Sequence, residues 1–243
     1  MKKYGLLLAF LLMGASLWAK DYNASLFGIK SDGRTNNTAS IQKAIDYINS
    51  QGGGTLVFYV GRYLTGTVEL KSNVCIRLEE GAVLLGSASP YDYKSLDGVP
   101  AIIVADGQSN IGLSGKGVVE GAGSLLVANT DTLVQKGYVE KDTKPALIAF
   151  SNCINIELRH LNLWNAAYTA LNLTKCRNIA LKDLDINGQN LPSSAGIYLT
   201  GCAWVTLRDL FIRVKQQALT TVDNENIYIR DSMNDTGALL SGS

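Results

Sequence analysis

Histidine and net charge are both scarce in this sequence. Its 243 residues include one His, and they carry a formal net charge of +1 with 18% charged residues. The single His160 excludes a metal site built from several histidines, and a nucleic-acid-binding protein would need a basic excess. The four cysteines follow no zinc-binding spacing. We therefore expect no metal, no cofactor and no nucleic-acid partner.

Long apolar runs are lacking as well. The one candidate, Leu6 to Met13, follows two lysines and is shorter than the roughly 20 residues that span a bilayer. Small residues continue to Ala19, so the pattern predicts a signal peptide over residues 1–19 and a mature domain over residues 20–243. A buried N-terminal helix is the alternative. The pattern indicates a secreted or periplasmic protein without a membrane span.

What the sequence does contain is a repeat that opens on asparagine. Five segments share it: NIGLSG from Asn110, NIELRHLNL from Asn155, NIALKDLDI from Asn178, WVTLRDLFI from Trp204 and NIYIRDS from Asn226. The last four begin 23, 26 and 22 residues apart, which is typical of a solenoid. Apolar residues alternate with polar ones within each unit, as in a strand. This predicts an all-β fold, a parallel β-helix with three-strand coils of 22–26 residues.

The repeat predicts the interior of the coils but not their handedness. Parallel crossover connections are right-handed in nearly all cases, so we expect a right-handed β-helix. Cys153, Cys176 and Cys202 each stand two positions before the residue that opens a repeat. They are expected to stack as an interior column of thiols, although a disulfide between neighbouring coils is an alternative. A polar corner interrupts each unit, and it holds His160, Asp183 or Asp209.

The segment NNTASIQKAIDYINSQGGG predicts a helix ahead of the strands. Asn37 or Thr38 is placed to cap its start, and three glycines end it. Its apolar residues fall on one face; they are Ala39, Ile41, Ala44, Ile45 and Ile48. We expect a helix over about residues 38–50 that covers the open N-terminal end of the solenoid.

The motifs around this helix resemble those of a known family. FGIKSDGRTNNTASIQKAID, the strands after the glycines, YDY at Tyr91 to Tyr93, and NIGLSGKGVVEGAG from Asn110 look like glycoside hydrolase family 28, the polygalacturonase-like hydrolases. The resemblance covers most of the mature chain and implies a right-handed β-helix that meets pectic polysaccharide. It also implies an inverting hydrolase, in which one acid protonates the leaving oxygen and another activates water.

The positions that match the family's catalytic motifs hold no acids in this sequence. The family's Asn-Thr-Asp-Gly-Ile-Asp pattern falls on residues 193–198, where Ala195 and Tyr198 stand in place of its acids. The family's Asp-Asp pair falls on Gln216 and Gln217. Glutamine has no acidic proton and no basic oxygen near neutral pH, so it cannot act as a general acid or base. The later Gly-His-Gly and Arg-x-Lys motifs are absent too, and the resemblance implies a shortened, catalytically silent member.

The repeat register also predicts which residues share a surface. It stacks Thr169, Ala195 and Gln217 in one column and Asn172, Tyr198 and Thr220 in the next. With Tyr168 as a further stacking ring, the polar and aromatic members would suit a sugar. The candidate substrate-binding residues are Tyr168, Thr169, Asn172, Tyr198, Gln217 and Thr220.

Three functions therefore remain open. The first is a glycan-binding protein without hydrolytic activity. The second is an active glycosidase for galacturonide-type linkages that uses other acids, for instance Asp183 with Asp185. The third is a structural or interaction solenoid whose outer face is only solvated. No sequence feature determines the oligomeric state.

Overall fold

The computed structural model describes residues 20–96, 98–139 and 144–240. The expected signal peptide, residues 1–19, lies outside the described residues. The described part is almost entirely β-structure, and none of its helices combines the length and apolar character needed to cross a bilayer. Its strands, in chain order, are β1 (Asp21–Asn23), β2 (Gly54–Phe58), β3 (Gly61–Thr65), β4 (Val68–Glu69), β5 (Val74–Leu78), β6 (Ala82–Gly86), β7 (Lys94–Ser95), β8 (Pro100–Asp106), β9 (Ser109–Ser114), β10 (Val118–Glu120), β11 (Ala146–Ser151), β12 (Ile154–Trp164), β13 (Thr169–Thr174), β14 (Arg177–Asn187), β15 (Ala195–Thr200), β16 (Ala203–Arg213), β17 (Leu219–Val222), β18 (Glu225–Arg230) and β19 (Met233–Asn234).

The strands form three parallel faces that wind around one core. The first face contains β1, β2, β5, β9, β18 and the N-terminal halves of β12, β14 and β16. The second contains β3, β6, β10, β19 and the C-terminal halves of the same three long strands. The third contains β4, β8, β11, β13, β15 and β17, with β7 paired antiparallel to β8. The predicted fold is confirmed, since the chain is a right-handed parallel β-helix.

The strand register is the one that the repeat predicts. Ile156 pairs with Ile179, Ile179 with Val205, and Val205 with Ile227. Each of these residues directly follows the Asn or Trp that opens its repeat. Because equivalent positions of successive coils lie side by side, a residue's place in the repeat determines its neighbours above and below.

Polar residues make the corner between the first two faces. His160, Asp183 and Asp209 have φ angles of 57°, 51° and 56°, and each lies within one long strand that bends there. Asp and His are among the few side chains that adopt this left-handed conformation with some frequency. The corner predicted from the sequence is confirmed, and His160 Nδ1 lies 2.7 Å from Asp183 Oδ2.

Asparagines form a hydrogen-bonded ladder where each repeat opens. Asn110 Nδ2 donates to Asn73 Oδ1 at 2.8 Å, Asn155 Nδ2 to Asn110 Oδ1 at 2.8 Å, and Asn178 Nδ2 to Asn155 Oδ1 at 2.7 Å. All four have positive φ, and so does Trp204 in the next coil. The ladder explains why the repeat opens on Asn, which tolerates the backbone geometry and supplies both a donor and an acceptor.

The interior is apolar and contains the expected thiol column. Cys153, Cys176 and Cys202 are each at most 1% exposed and are free thiols, so the disulfide alternative is not observed. Cys176 Sγ donates to Thr174 O at 3.3 Å. The hydrogen bond with Cys153, followed by that with Cys202 and by burial, raises the pKa of the Cys176 thiol above its ordinary value. The column is part of the core packing.

Within the described residues, two α-helices accompany the coils. Helix α1 (Thr38–Ser50) matches the predicted range and buries Ile41, Ala44, Ile45 and Ile48 against the core. It packs on β2, β4 and β5 of the first coils. Its role as a cover for the end of the solenoid stays a prediction. Helix α2 (Gly123–Gln135) follows β10, outside the repeats.

The start of α1 differs from the expected cap. Asn37 occupies the N-cap position, but its side chain makes no capping hydrogen bond. Its Nδ2 donates to the carbonyls of Lys30 at 2.9 Å and Thr35 at 3.0 Å, and its Oδ1 accepts from Lys30 N at 2.8 Å. The Thr38 amide is bound instead by Asn36 Oδ1 at 3.0 Å. The buried Asn37 thus holds the preceding loop, and Asn36 supplies the cap.

Candidate functional site

The outward side chains of the third face form a column along the helix axis. Asn172 pairs with Tyr198, and Tyr198 with Thr220, as the repeat predicts. In the opposite direction the column continues through Ala149 and Val104. The residues beside them in each strand face the core, so the column is the outer surface of this face. We call it the outer column; a role in binding stays a prediction.

Two tyrosines make a flat surface beside the outer column. The rings of Tyr168 and Tyr198 stack with centroids 6.1 Å apart and planes inclined by 29°. Tyr168 is 40% exposed. The hydrogen bond with Tyr198, followed by partial burial, raises the pKa of the Tyr168 hydroxyl above its ordinary value. Such rings can pack on the apolar face of a sugar while their hydroxyls bond to its polar edge.

A cleft of about 470 Å³ opens at Tyr168. Among the described residues, its lining includes Gly98, Val99, Pro100, Lys144 and Tyr168. We call this cleft the tyrosine chamber. Lys144 forms no ion pair with any carboxylate of the described residues. A cation beside an aromatic surface can bind a carboxylate on a ring-shaped ligand. Sequence reasoning missed Lys144 because it precedes β11 and belongs to no repeat.

Thr169 does not line this surface. It is fully buried, and its Oγ1 donates to Gly196 O at 2.8 Å. Along β13 it lies on the same side as Leu171, which faces the core. The expectation that Thr169 contacts a sugar is therefore corrected. Its hydroxyl satisfies a backbone carbonyl inside the coil and is not available to a ligand.

The positions that resemble the family's acid sites are adjacent, as the register predicts. Ala195 pairs with Thr169, and its amide donates to Tyr168 O at 2.7 Å. On the other side, Gly196 N donates to Gln217 O at 3.0 Å. Ala195 is 1% exposed, so its side chain is buried in the coil and does not lie on the outer surface.

Both glutamine side chains already have partners within the protein. Gln216 Nε2 donates to Pro192 O at 2.8 Å. Gln217 Oε1 accepts from Thr220 Oγ1 at 2.8 Å, while both Gln residues remain exposed. Gln217 and Thr220 therefore form a connected polar pair at one end of the outer column. Amide and hydroxyl groups of this kind can exchange an internal hydrogen bond for one to a sugar hydroxyl.

The two aspartates considered as replacement acids lie elsewhere. Asp185 is on the second face, where both of its carboxylate oxygens accept from Arg213 Nη2 at 2.8 Å. Asp183 lies at the corner between the first two faces, beside His160. Neither carboxylate is on the third face. Across residues 20–96, 98–139 and 144–240, no three His, Cys, Asp or Glu side chains are grouped as they would be to hold a metal ion.

Comparison with known proteins identifies the family. Residues 56–241 match the family model of the glycosyl hydrolases family 28. The chain belongs to this family. A solved structure of a proposed glycosyl hydrolase from Parabacteroides merdae is 41% identical, with a TM-score of 0.86 over 90% of this chain and 100% of that one. The resemblance inferred from the N-terminal motifs and the repeats is thereby confirmed.

Other relatives of this family 28 chain are considerably longer. An exo-poly-alpha-D-galacturonosidase of Dickeya chrysanthemi is 35% identical over 43% of this chain, and an exopolygalacturonase of Zea mays is 23% identical over 82% of it. The chain spans 20% and 48% of their respective lengths. The family 28 exopolygalacturonase of Yersinia enterocolitica shares the fold, with a TM-score of 0.74 at 20% identity over 87% of this chain and 49% of that one.

Proposed function

We propose that this family 28 chain binds uronate-rich, pectic polysaccharide on its third face and does not hydrolyse it. The observation that carries the proposal is Lys144, an ammonium group without a carboxylate partner in the described residues, in the same chamber as the Tyr168 ring. The stacked Tyr198 extends that surface along the outer column. A uronate ring offers both an apolar face for the tyrosines and a carboxylate for the lysine.

The lack of hydrolysis rests on the residues that occupy the acid positions. Inverting hydrolysis needs two carboxyl groups, about 6.5–9.5 Å apart, on opposite sides of the scissile bond. Ala195, Gln216 and Gln217 supply none. Asp185 is held by Arg213 on another face, which argues against the alternative of an active glycosidase with relocated acids.

Binding is tested by titrating the full chain with tetragalacturonide in a calorimeter. We expect saturable heat, and we expect Tyr198→Ala to weaken affinity by about fivefold, because an aromatic contact contributes roughly 0.5–1.5 kcal/mol. Tyr228→Ala is the matched control, since Tyr228 is 60% exposed on the first face. No heat and no NMR shift at millimolar ligand would refute binding, and the structural solenoid would become the better hypothesis.

The proposed absence of hydrolytic activity is tested by measuring the reducing ends released from polygalacturonate and rhamnogalacturonan. We expect no release above a heat-denatured sample. Release that disappears in Asp183→Asn or Asp185→Asn would contradict the proposal and support the active glycosidase. The same preparation must bind tetragalacturonide, so that a misfolded sample is not mistaken for a silent one.

The proposed location is outside the cytoplasm, secreted or periplasmic. It rests on the apolar run and small residues of positions 1–19, and on the size of a pectic polymer, which is met outside the cell. N-terminal sequencing of the exported protein tests it: a mature chain that starts at Lys20 is the expected result, and an intact Met1 in the exported fraction contradicts it.

A further inference from the structure

A solvent-facing patch with two aromatic rings lies on the second face, apart from the outer column. Trp164, Asn187 and Arg213 occupy one strand position in three successive coils. Asp185 and Phe211 occupy the other outward position in the second and third of these coils. The residues between the two positions face the core. We call these five residues the tryptophan patch.

The two rings of the patch are exposed although the strands that carry them are packed. Trp164 ends β12 and is 37% exposed, whereas Leu163 directly before it is 1% exposed. Phe211 is 38% exposed. Single exposed apolar residues are ordinary on a protein surface. Two aromatic rings around a few fixed polar groups are instead the composition of a site for a small ligand, and aromatic faces suit sugar rings.

The polar groups between the rings are held in a fixed geometry. Both Asp185 oxygens accept from Arg213 Nη2 at 2.8 Å, and the guanidinium carbon lies 4.9 Å from the centre of the Phe211 ring. Asn187 Oδ1 accepts from Gln189 N at 3.3 Å. Arg213 Nη1 and Asn187 Nδ2 have no hydrogen-bond partner among the described residues, and each carboxylate oxygen has a further lone pair. The patch therefore offers donors and acceptors to hydroxyl groups without rearrangement.

Charges in and around the tryptophan patch are paired within the described residues. Asp185 neutralises Arg213, and in the neighbouring coil the Glu120 carboxylate bonds to Arg62 at 3.1 Å. A ligand carboxylate would find no free cation here and would meet two carboxylates, whereas the tyrosine chamber offers Lys144. Hydroxyl groups carry no charge and lose less on leaving water than ions do. The charge pattern therefore favours a neutral sugar over a uronate.

The arrangement of the patch also favours a glycan over a protein partner. The centre of a protein–protein interface is depleted of charged residues. Here Asp185 and Asn187 lie on the coil between the two rings, so the centre is polar and charged. Trp164 and Phe211 are two coils apart, roughly 10 Å along the helix axis at normal strand spacing. A short oligosaccharide laid across the coils spans that distance.

We propose that the tryptophan patch is a second carbohydrate site, which binds a neutral glycan independently of the third face. The Trp164 indole packs on the apolar face of one sugar ring. Asp185 and Arg213 bond to hydroxyl groups of the next ring, and Asn187 adds an amide donor. Phe211 holds the guanidinium in place and borders the bound chain. The inference goes beyond the proposed function and does not depend on it, because the two surfaces lie on different faces.

The experiment titrates the isotope-labelled full chain with three neutral ligands: carboxyl-reduced tetragalacturonide, cellotetraose and mannotetraose. The indole N–H signal of Trp164 is followed by NMR, and Trp164→Phe assigns it. We expect at least one of the three ligands to shift this signal saturably at millimolar concentration, while the Trp204 signal stays in place. Tetragalacturonide should shift the Trp164 signal less than its carboxyl-reduced form does, because its carboxylates meet Asp185.

Calorimetry on three variants tests the patch residues. Trp164→Ala should weaken the affinity for the best neutral ligand by about fivefold, as for a lost aromatic contact. Asn187→Ala keeps the core and the ion pair and should weaken it by about threefold, as for a lost hydrogen bond. Trp204→Ala is the matched control, because Trp204 is 56% exposed where its repeat opens and lies outside the patch. Unchanged affinity in both patch variants, at a thermal unfolding midpoint close to that of the control, would contradict the assignment.

Three further results would overturn the proposal. One is no heat and no shift of the Trp164 signal with any of the three neutral ligands. Another is a larger shift with tetragalacturonide than with its carboxyl-reduced form, which would make the second face a uronate surface. The third is a dimer, seen by light scattering, that Trp164→Ala abolishes and the sugars do not dissociate. Failure of tetragalacturonide to bind at all overturns the proposed function alone, so the two failures are distinguishable.

Discussion

Asn178 Nδ2 donates to Asn155 Oδ1 at 2.7 Å, one rung of a ladder that runs along the first face. Asn155 donates in turn to Asn110, so it is bonded on both sides. Its backbone is left-handed, with φ of 59°. Asn155 therefore tolerates the left-handed backbone at the start of its repeat, and its side chain links three coils. Replacing Asn155 tests how much each contribution stabilises the β-helix.

Asn155→Ala should be more destabilising than Asn155→Gly. Both variants lose two side-chain hydrogen bonds, worth about 0.5–1.5 kcal/mol each. Alanine in the left-handed backbone conformation also costs roughly 1 kcal/mol, whereas glycine adopts this conformation freely. Urea unfolding of both variants measures the difference. An equal loss of unfolding free energy in the two variants would show that the backbone at position 155 relaxes when the ladder is broken.

Asn37→Ala should lower the free energy of unfolding by about 2–4 kcal/mol, because it removes the hydrogen-bond partner of several partly buried backbone groups. The side chain is 2% exposed and bonds to Lys30 and Thr35. Asn36→Ala, which removes only the helix cap, should cost about 1 kcal/mol. Chemical denaturation compares the two, and a larger loss in Asn36→Ala would contradict the assignment of Asn37 as the organising residue of this loop.

Ionisation of the Tyr93 hydroxyl should lower the free energy of unfolding at alkaline pH. Its hydroxyl donates to Ser87 O at 2.6 Å, and burial, with the nearby Asp92 charge, raises its pKa above the ordinary 10.0. A raised folded pKa gives stability that is present below pH 10.0 and lost as the pH rises further. Between pH 9 and pH 11, wild type should therefore lose more unfolding free energy than Tyr93→Phe. Parallel pH profiles of the two proteins would contradict this.

The coils were predictable because each position repeats. Ile179 and Val205 occupy the same place in consecutive units, so their pairing follows from spacing alone. Lys144 and the hairpin formed by β7 and the start of β8 could not be found this way. Both lie outside the repeats, so the repeat spacing does not predict where they sit on the third face. Thr169 was misplaced because the repeat gave its column but not its direction, which depends on where β13 begins.

Asp185→Asn should reduce stability and leave tetragalacturonide affinity unchanged. The carboxylate is bonded twice to Arg213, which also lies 4.9 Å from the Phe211 ring and has a buried Nε without a partner among the described residues. Because Arg213 is partly buried, loss of the charge should cost about 1–3 kcal/mol. Thermal unfolding and calorimetry measure the two effects. A loss of affinity would connect the second face with the binding site.

Lys144→Gln tests the charge in the tyrosine chamber. Glutamine keeps hydrogen-bonding capacity and removes the cation, so we expect affinity for tetragalacturonide to fall by about fivefold at low salt, as for a partly screened ion pair. The wild-type affinity should decline with added salt, and that of the variant should decline less. Lys175→Gln, an exposed lysine at the far corner of the third face, is the matched control. Methyl-esterified tetragalacturonide, which has no carboxylates, should bind wild type and Lys144→Gln equally. If Lys144→Gln weakens the ester as much as the acid, Lys144 acts through the shape of the chamber and not through its charge.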